Sequence, residues 1–134
     1  MRIALDTNVL ASAIGTRGLC ADVMRAVLLE HELVIGEFVL LELRRNLAKK
    51  FRLSPAVIAE FEAMLRTQAQ VGPPATAVDI AGLDASDARV LAEALAAKAE
   101  IFVTGDGQLQ TLGERAPLPI LSPRQFWELL QRRG

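Results

Sequence analysis

The stretches Arg2-Ile-Ala-Leu-Asp6 and Ile101-Phe-Val-Thr-Gly-Asp106 decide the fold class. Each is a short run of β-suited residues that ends at an aspartate. Around them the apolar residues recur at helical spacing. Cys20–Glu30 carries Val23, Met24, Val27 and Leu28 in that pattern, Leu33–Ile35 reads as a second strand, and Glu37–Phe51 as a second helix. Ser54-Pro55 opens a third helix with a capping hydroxyl and a proline at the first helical position. That helix runs to about Gln70 and is broken by Gly72-Pro73-Pro74, beyond which a loop continues to Asp84. A further helix, Asp87–Lys98, is entered through Asp84-Ala-Ser-Asp87; Ile101–Thr104 and Pro119–Leu121 are the last strands, and Ser122-Pro123 opens the closing helix. Strands alternating with helices predict an α/β fold, a mainly parallel central sheet with helices on both faces. No repeat or linker divides the chain, and residues 1–134 are expected to form a single domain.

Composition narrows the chemistry. Hydrophobic residues make up 51% of the chain, ample apolar surface to offset the entropy of ordering it. Cys20 stands alone, which excludes an internal disulfide framework and a cysteine-rich zinc site. His31 is the one histidine, too few for a histidine-based zinc site, and best read as a polar residue at a helix end. Cys20 reads as a small core residue. Trp127 with Phe126, Leu129 and Leu130 reads as core and not as a base-stacking platform. No apolar run approaches the length needed to span a bilayer, and the opening residues enter a strand pattern, so a cytoplasmic protein with no membrane partner is expected. The net charge of −1 is not the basic balance of a passive nucleic-acid coat. If such a chain handles RNA, local basic patches and metal ions must offset the phosphate charge.

Four acids draw attention by position. Asp6 and Asp106 follow strands, and the carboxyl ends of strands line the ligand crevice of open α/β sheets. Either alone is more simply a strand terminator that caps the next helix. Asp87 precedes the stripe Val90, Leu91, Ala94, Leu95 and shares its inward face; its plainer role is a dipole-stabilising acid in the first turn, with Asp84 as the cap. Glu42 lies opposite the apolar face of Val39, Leu40, Leu43, Leu47 and Phe51, with Arg45 and Lys49 at i+3 and i+7. That pattern fits a solvated face with a minor Glu–Arg pair, and equally a carboxylate that holds a metal beside cations that hold phosphate. A site of carboxylates without histidine or cysteine suits hard cations such as Mg²⁺ or Mn²⁺. A cation so held activates water and stabilises the leaving oxygen of a phosphodiester, with no nucleophilic side chain required.

Leu5-Asp-Thr-Asn-Val-Leu10, Leu-Leu-Glu-Leu around Glu42, Asp84-x-x-Asp87 before Val-Leu-Ala-Glu-Ala, and Val103-Thr-Gly-Asp106 resemble, in order and spacing, the signature of PIN-domain ribonucleases. The closing Pro-Ile-Leu-Ser-Pro-Arg-Gln-Phe-Trp-Glu-Leu-Leu resembles a bacterial, VapC-like toxin subgroup. The resemblance implies a three-layer α/β/α domain and a Mg²⁺- or Mn²⁺-dependent endoribonuclease. It makes Asp6, Glu42, Asp87 and Asp106 the catalytic and metal-holding acids, with Asn8, Thr104 and Asp84 in support. It further implies an RNA substrate met by Arg45 and Lys49, a homodimer, and a small antitoxin as partner. Two positions depart from the family pattern. Gln108 stands where many members carry another acid, which bears on a second metal. Gly36 stands where many have Ser or Thr at the start of the Glu-bearing helix, a change expected to alter only a cap.

Other readings use the same acids. A phosphatase of the Asp-x-Asp type needs a second carboxylate at position 8, where Asn8 cannot serve as general acid. A receiver domain wants an acidic pair beside the first strand and a lysine after a late one, and neither is apparent. A non-catalytic PIN fold that binds RNA or protein should have lost one of the four acids, and all four are present.

Overall fold

The computed structural model describes residues 1–76 and 78–133; Ala77, in the expected loop, and Gly134 lie outside the described residues. The chain runs β1 (Arg2–Leu5), α1 (Thr7–Gly15), α2 (Leu19–Glu30), β2 (Glu32–Ile35), α3 (Glu37–Lys49), α4 (Pro55–Gln68), β3 (Gln70–Val71), α5 (Ala85–Ala96), β4 (Ile101–Val103), α6 (Gly107–Gln110), β5 (Ile120–Leu121) and α7 (Pro123–Arg133). All strand pairings are parallel, in the order β3-β2-β1-β4-β5. In β1, β2 and β4 three consecutive residues are buried (Ile3–Leu5, Leu33–Ile35, Ile101–Val103). Neighbouring strand residues point to opposite faces, so such runs require helices on both. The expected α/β sandwich with a parallel centre is what forms.

The order places the site. From β1 the chain steps outward on one side to β2 and β3, then returns to the other side of β1 for β4 and β5. Right-handed crossovers therefore put α1–α4 on one face and α5 on the other. The direction of winding reverses between β1 and β4, which makes their carboxyl ends the switch point where such sheets open a crevice. Register aligns those ends, Leu5 opposite Val103, and the Asp6 amide continues the ladder to the Val103 carbonyl at 2.9 Å.

Several bounds differ from those the sequence predicts, and each has a local cause. Asp6 caps a helix, α1, across a segment given no element in the reading above; Val9, Leu10, Ala11 and Ala13 are its buried residues. The third helix stops at Gln68, because Gln70 and Val71 pair with Val34 and Ile35 as an edge strand. α3 and α5 end two residues before their expected limits. Arg52 and Lys98, just beyond them, take positive φ (53° and 62°), and Leu53 and Ala99 donate back to Leu47 and Ala94 at 3.1 and 3.0 Å. At Lys98 this is the turn that closes helices, made here without its usual glycine; Arg52 closes a loop one residue wider. α5 also starts two residues early, at Ala85, with the Asp84 carboxylate accepting the Asp87 amide at 2.9 Å.

Phe102 and Phe126 are the largest fully buried side chains, and Trp127, Leu129 and Leu130 pack partly buried around them. That accounts for the apolar patch of α7 as core. His31 closes α2, and its burial lowers its pKa. Cys20 is half-buried against the core with a thiol pushed upward by burial, the opposite of a reactive cysteine. Among the described residues no helix is long and apolar enough to cross a membrane.

Candidate functional site

Asp6 stands at the switch point between β1 and β4. It is 7% exposed, with Oδ1 accepting the Thr7 amide at 2.8 Å and Oδ2 accepting the Thr104 hydroxyl at 2.7 Å. Thr104 is fully buried, and the same oxygen accepts the Asp106 amide at 3.0 Å. One hydroxyl thus ties the residue after β1 to the loop after β4. Gln110 donates to the Thr104 carbonyl at 2.8 Å, and Asp106 caps α6 through the Gln108 amide at 2.8 Å. Asp6 and Asp106 therefore do what strand-ending aspartates ordinarily do, and they also stand at the switch point.

α3 brings Glu42 to the same place. The carboxylate is half-buried and accepts from the Thr7 hydroxyl at 2.9 Å; it is not the solvated member of a Glu–Arg pair. One turn on, Asn46 donates to Asn8 Oδ1 at 3.3 Å. On the face opposite the Leu40–Leu47 stripe, Glu42 and Asn46 are thus engaged by α1. Arg45 and Lys49 are exposed on that side, and Arg45 is close enough to lower the Glu42 pKa. Arg44 is engaged elsewhere: it pairs with Glu62 of α4, which also binds Arg66, itself forked onto Glu37 at 2.6 and 2.9 Å.

The electrostatics register the convergence. Burial raises the Asp6 pKa, and the Asp106 charge adds to it against the hydrogen bonds from Thr104 and Thr7. Burial raises that of Glu42, with Asp6 and Asp84 adding to it. Asp87 is pushed up to about 6, first by burial and then by Asp84, Asp106, Asp6 and Glu42. Five carboxylates are thus near enough to repel one another. They are not yet a cage: among the described residues no three such side chains converge closely enough to hold one ion as they stand. The donor set is oxygen throughout and suits a hard divalent cation, whose charge would offset both the burial that chiefly raises these pKa values and the repulsion that adds to it.

Two hydrogen-bonding partners of α3 escaped the sequence reading. Thr7 carries the Glu42 contact, and a hydroxyl directly after the first aspartate is its only sequence signal. Glu93, on the buried side of α5, bonds the start of α3; nothing in its spacing distinguishes it from an ordinary helix acid.

A parallel α/β sheet with carboxylates from four chain segments around its switch point defines an acidic-crevice α/β protein. The chain belongs to the PIN-domain family: the family model described as PIN domain matches residues 2–108, which include all four acids. PIN domains are typically nucleases. Among solved structures, the fold is similar to that of VapBC2 from Rickettsia felis bound to a DNA fragment from its promoter, with TM-score 0.61, 16% identity, and 91% of this chain and 98% of that chain covered. It is also similar to FitAcB from Neisseria gonorrhoeae, with TM-score 0.57, 15% identity, and coverage of 90% and 97%. These likenesses concern the fold. Comparison with curated proteins gives no match.

Proposed function

We propose that residues 1–134 act as one divalent-metal-dependent endoribonuclease domain, the toxin component of a toxin–antitoxin pair. The observation that carries the reading is the nearness of Asp6, Glu42, Asp87 and Asp106 at the switch point, with the Asp87 carboxyl pushed up to about 6 by burial first and by the charges of Asp84, Asp106, Asp6 and Glu42 after it. These four would hold Mg²⁺ or Mn²⁺, with Asp84, Asn8 and Thr104 in support. The bound ion supplies Lewis acidity, lowering the pKa of an attacking water and offsetting phosphodiester charge. The chain's own part is to orient and to neutralise. Thr104 fixes the rotamer of Asp6 and the backbone at Asp106, and Thr7 holds Glu42 toward them. Arg45 and Lys49 meet the phosphates on either side of the cut. The test is cleavage of a labelled single-stranded or loop RNA. Cutting is expected with Mn²⁺ or Mg²⁺ and should be absent in excess EDTA; equal cutting in EDTA would overturn the mechanism.

We also propose a homodimer in which two acidic crevices line one basic groove, and a small protein antitoxin that restrains it. The fold shared with VapBC2, a complex whose structure holds promoter DNA, supports such a partner. Replacing Arg45 and Lys49 by Ala should weaken RNA binding and lower the slope of log affinity against log salt by about 1.4, since each lost contact releases fewer counterions. Light scattering should give twice the 14.5 kDa chain mass. A fully active monomer would sink the dimer, and an unchanged slope would sink the groove.

A further inference from the structure

We propose that Glu93 is a positioning residue for the acidic crevice: from α5 its carboxylate caps the first turn of α3 and so locks the helix carrying Glu42 to the helix carrying Asp87. The clamp stands on geometry alone, and its consequence for catalysis rests on the nuclease reading above.

Helix starts leave amide groups without partners, and a side chain at the cap usually satisfies one of them. α3 begins at Gly36, which has no side chain to do so. The Glu93 oxygens take the place instead, standing 3.0 and 3.3 Å from the Phe38 nitrogen, whose amide donates to them. Glu93 is 2% exposed, and a buried carboxylate is tolerated only where something offsets the loss of water. The positive end of α3 and this amide provide that. Burial raises its pKa while the Phe38 amide and Arg89 hold it down. Arg89, one turn earlier on α5, lies over the Phe38 ring at 4.7 Å, a second tie to the same turn.

Gly36 and Glu93 require each other. A Cβ at position 36 would run into Glu93 Oε1 and stand 2.5 Å from its Cδ and 2.7 Å from its Cβ. The Cβ contact matters most, because no rotamer change removes it. The glycine is therefore more than a changed cap, as the sequence alone had it: it is the space through which α5 reaches α3. Phe38 and Glu42 are i and i+4 on one helical line, so a displacement of the first turn moves Glu42 directly.

Five proteins test this: wild type, Glu93→Ala, Glu93→Gly, Gly36→Ser, and the double variant of the last two, because alanine at position 93 would keep the Cβ that a side chain at position 36 cannot clear. Backbone angles at Gly36 (φ −98°, ψ 159°) already suit a serine cap, so the double variant supplies a hydroxyl where the carboxylate was removed. Each single change is expected to lower the metal-free Tm by about 2–6 °C. Each should also weaken Mn²⁺ affinity, read by calorimetry well below Tm, by roughly tenfold, the range for losing an outer-shell partner. The double variant should melt above both of its parent singles and bind Mn²⁺ within about threefold of wild type. Cleavage by Glu93→Ala should recover at saturating Mn²⁺, because the ligands are misplaced and not lost. A double variant no better than the worse single overturns the clamp. Rescue of Tm with unchanged Mn²⁺ affinity in Glu93→Ala overturns the positioning role. If the wild type neither binds Mn²⁺ nor cuts RNA, the nuclease reading falls, and the melting data still decide the clamp.

Discussion

Asp6→Asn is expected to cut RNA cleavage by more than about 100-fold, above the cost of removing an outer-shell partner, without lowering the metal-free Tm. The two effects separate because the Asp6 carboxylate is at once the most buried of the crevice acids and the one in the tightest hydrogen-bond frame. Asparagine keeps the shape and one acceptor for the Thr7 amide, while the Thr104 hydroxyl must turn to accept from the new amide group instead of donating. It removes a negative charge that burial and Asp106 already disfavour, which relieves strain in the absence of metal. Asp106→Asn should behave in the same direction. Thr104→Val, which deletes the hydroxyl shared by Asp6 and the Asp106 amide, should cost roughly 10–100-fold as an outer-shell change. Activity of Asp6→Asn within tenfold of wild type would remove the residue from the mechanism.

Mn²⁺ is expected to raise Tm by about 10 °C at 100 times its Kd, the linkage value for an ion that binds only the folded state. The gain should grow with pH. Asp6, Glu42 and Asp87 all have folded pKa values above their ordinary ones, Asp87 at about 6. A raised carboxyl pKa means the folded state binds its proton more tightly than the unfolded state does. Its contribution to stability is fully present below the unfolded value and is lost as pH rises through the folded one. The metal-free protein therefore loses this contribution between about pH 4 and pH 6 to 7, and an ion restores most where the carboxylates are charged. His31 acts in the other direction over part of this range, since its pKa is lowered. The clean measurement is therefore the difference between wild type and Asp87→Asn from pH 5 to 7.5. The metal-free wild type should lose stability relative to the variant as pH rises, and its Mn²⁺-induced shift should exceed that of the variant. A shift equal in both proteins, or independent of pH, would count against a shared ion site.

Periodicity and punctuation were enough for the fold class and for placing Asp6 and Asp106 at strand ends. Asp6 and Asp106 are visible because each ends a strand, and in a parallel sheet the strand ends decide where a crevice opens. Asp84 is visible as a cap for a similar local reason, a carboxylate three residues before an amide that needs it. What is local in its physics was legible. Helix ends were not, where Arg52 and Lys98 close a helix in a conformation usually given to glycine. Nor was β3, whose two residues are a strand only because β2 offers a free edge.

The role of Glu42 belongs to the tertiary structure. Its position opposite the apolar stripe of α3 fits both solvent and a site, and only the packed structure shows the carboxylate engaged by the Thr7 hydroxyl of α1, at 2.9 Å. The same holds for Gly36, which reads as a missing cap until Glu93 is found in its place, fifty-seven positions away in the chain. A sequence specifies which side chains face inward, because burial follows period. Which inward or half-buried polar groups meet is set by strand order and crossover direction. The reversal between β1 and β4 sets the ends of those two strands, and with them Asp6 and Asp106, side by side.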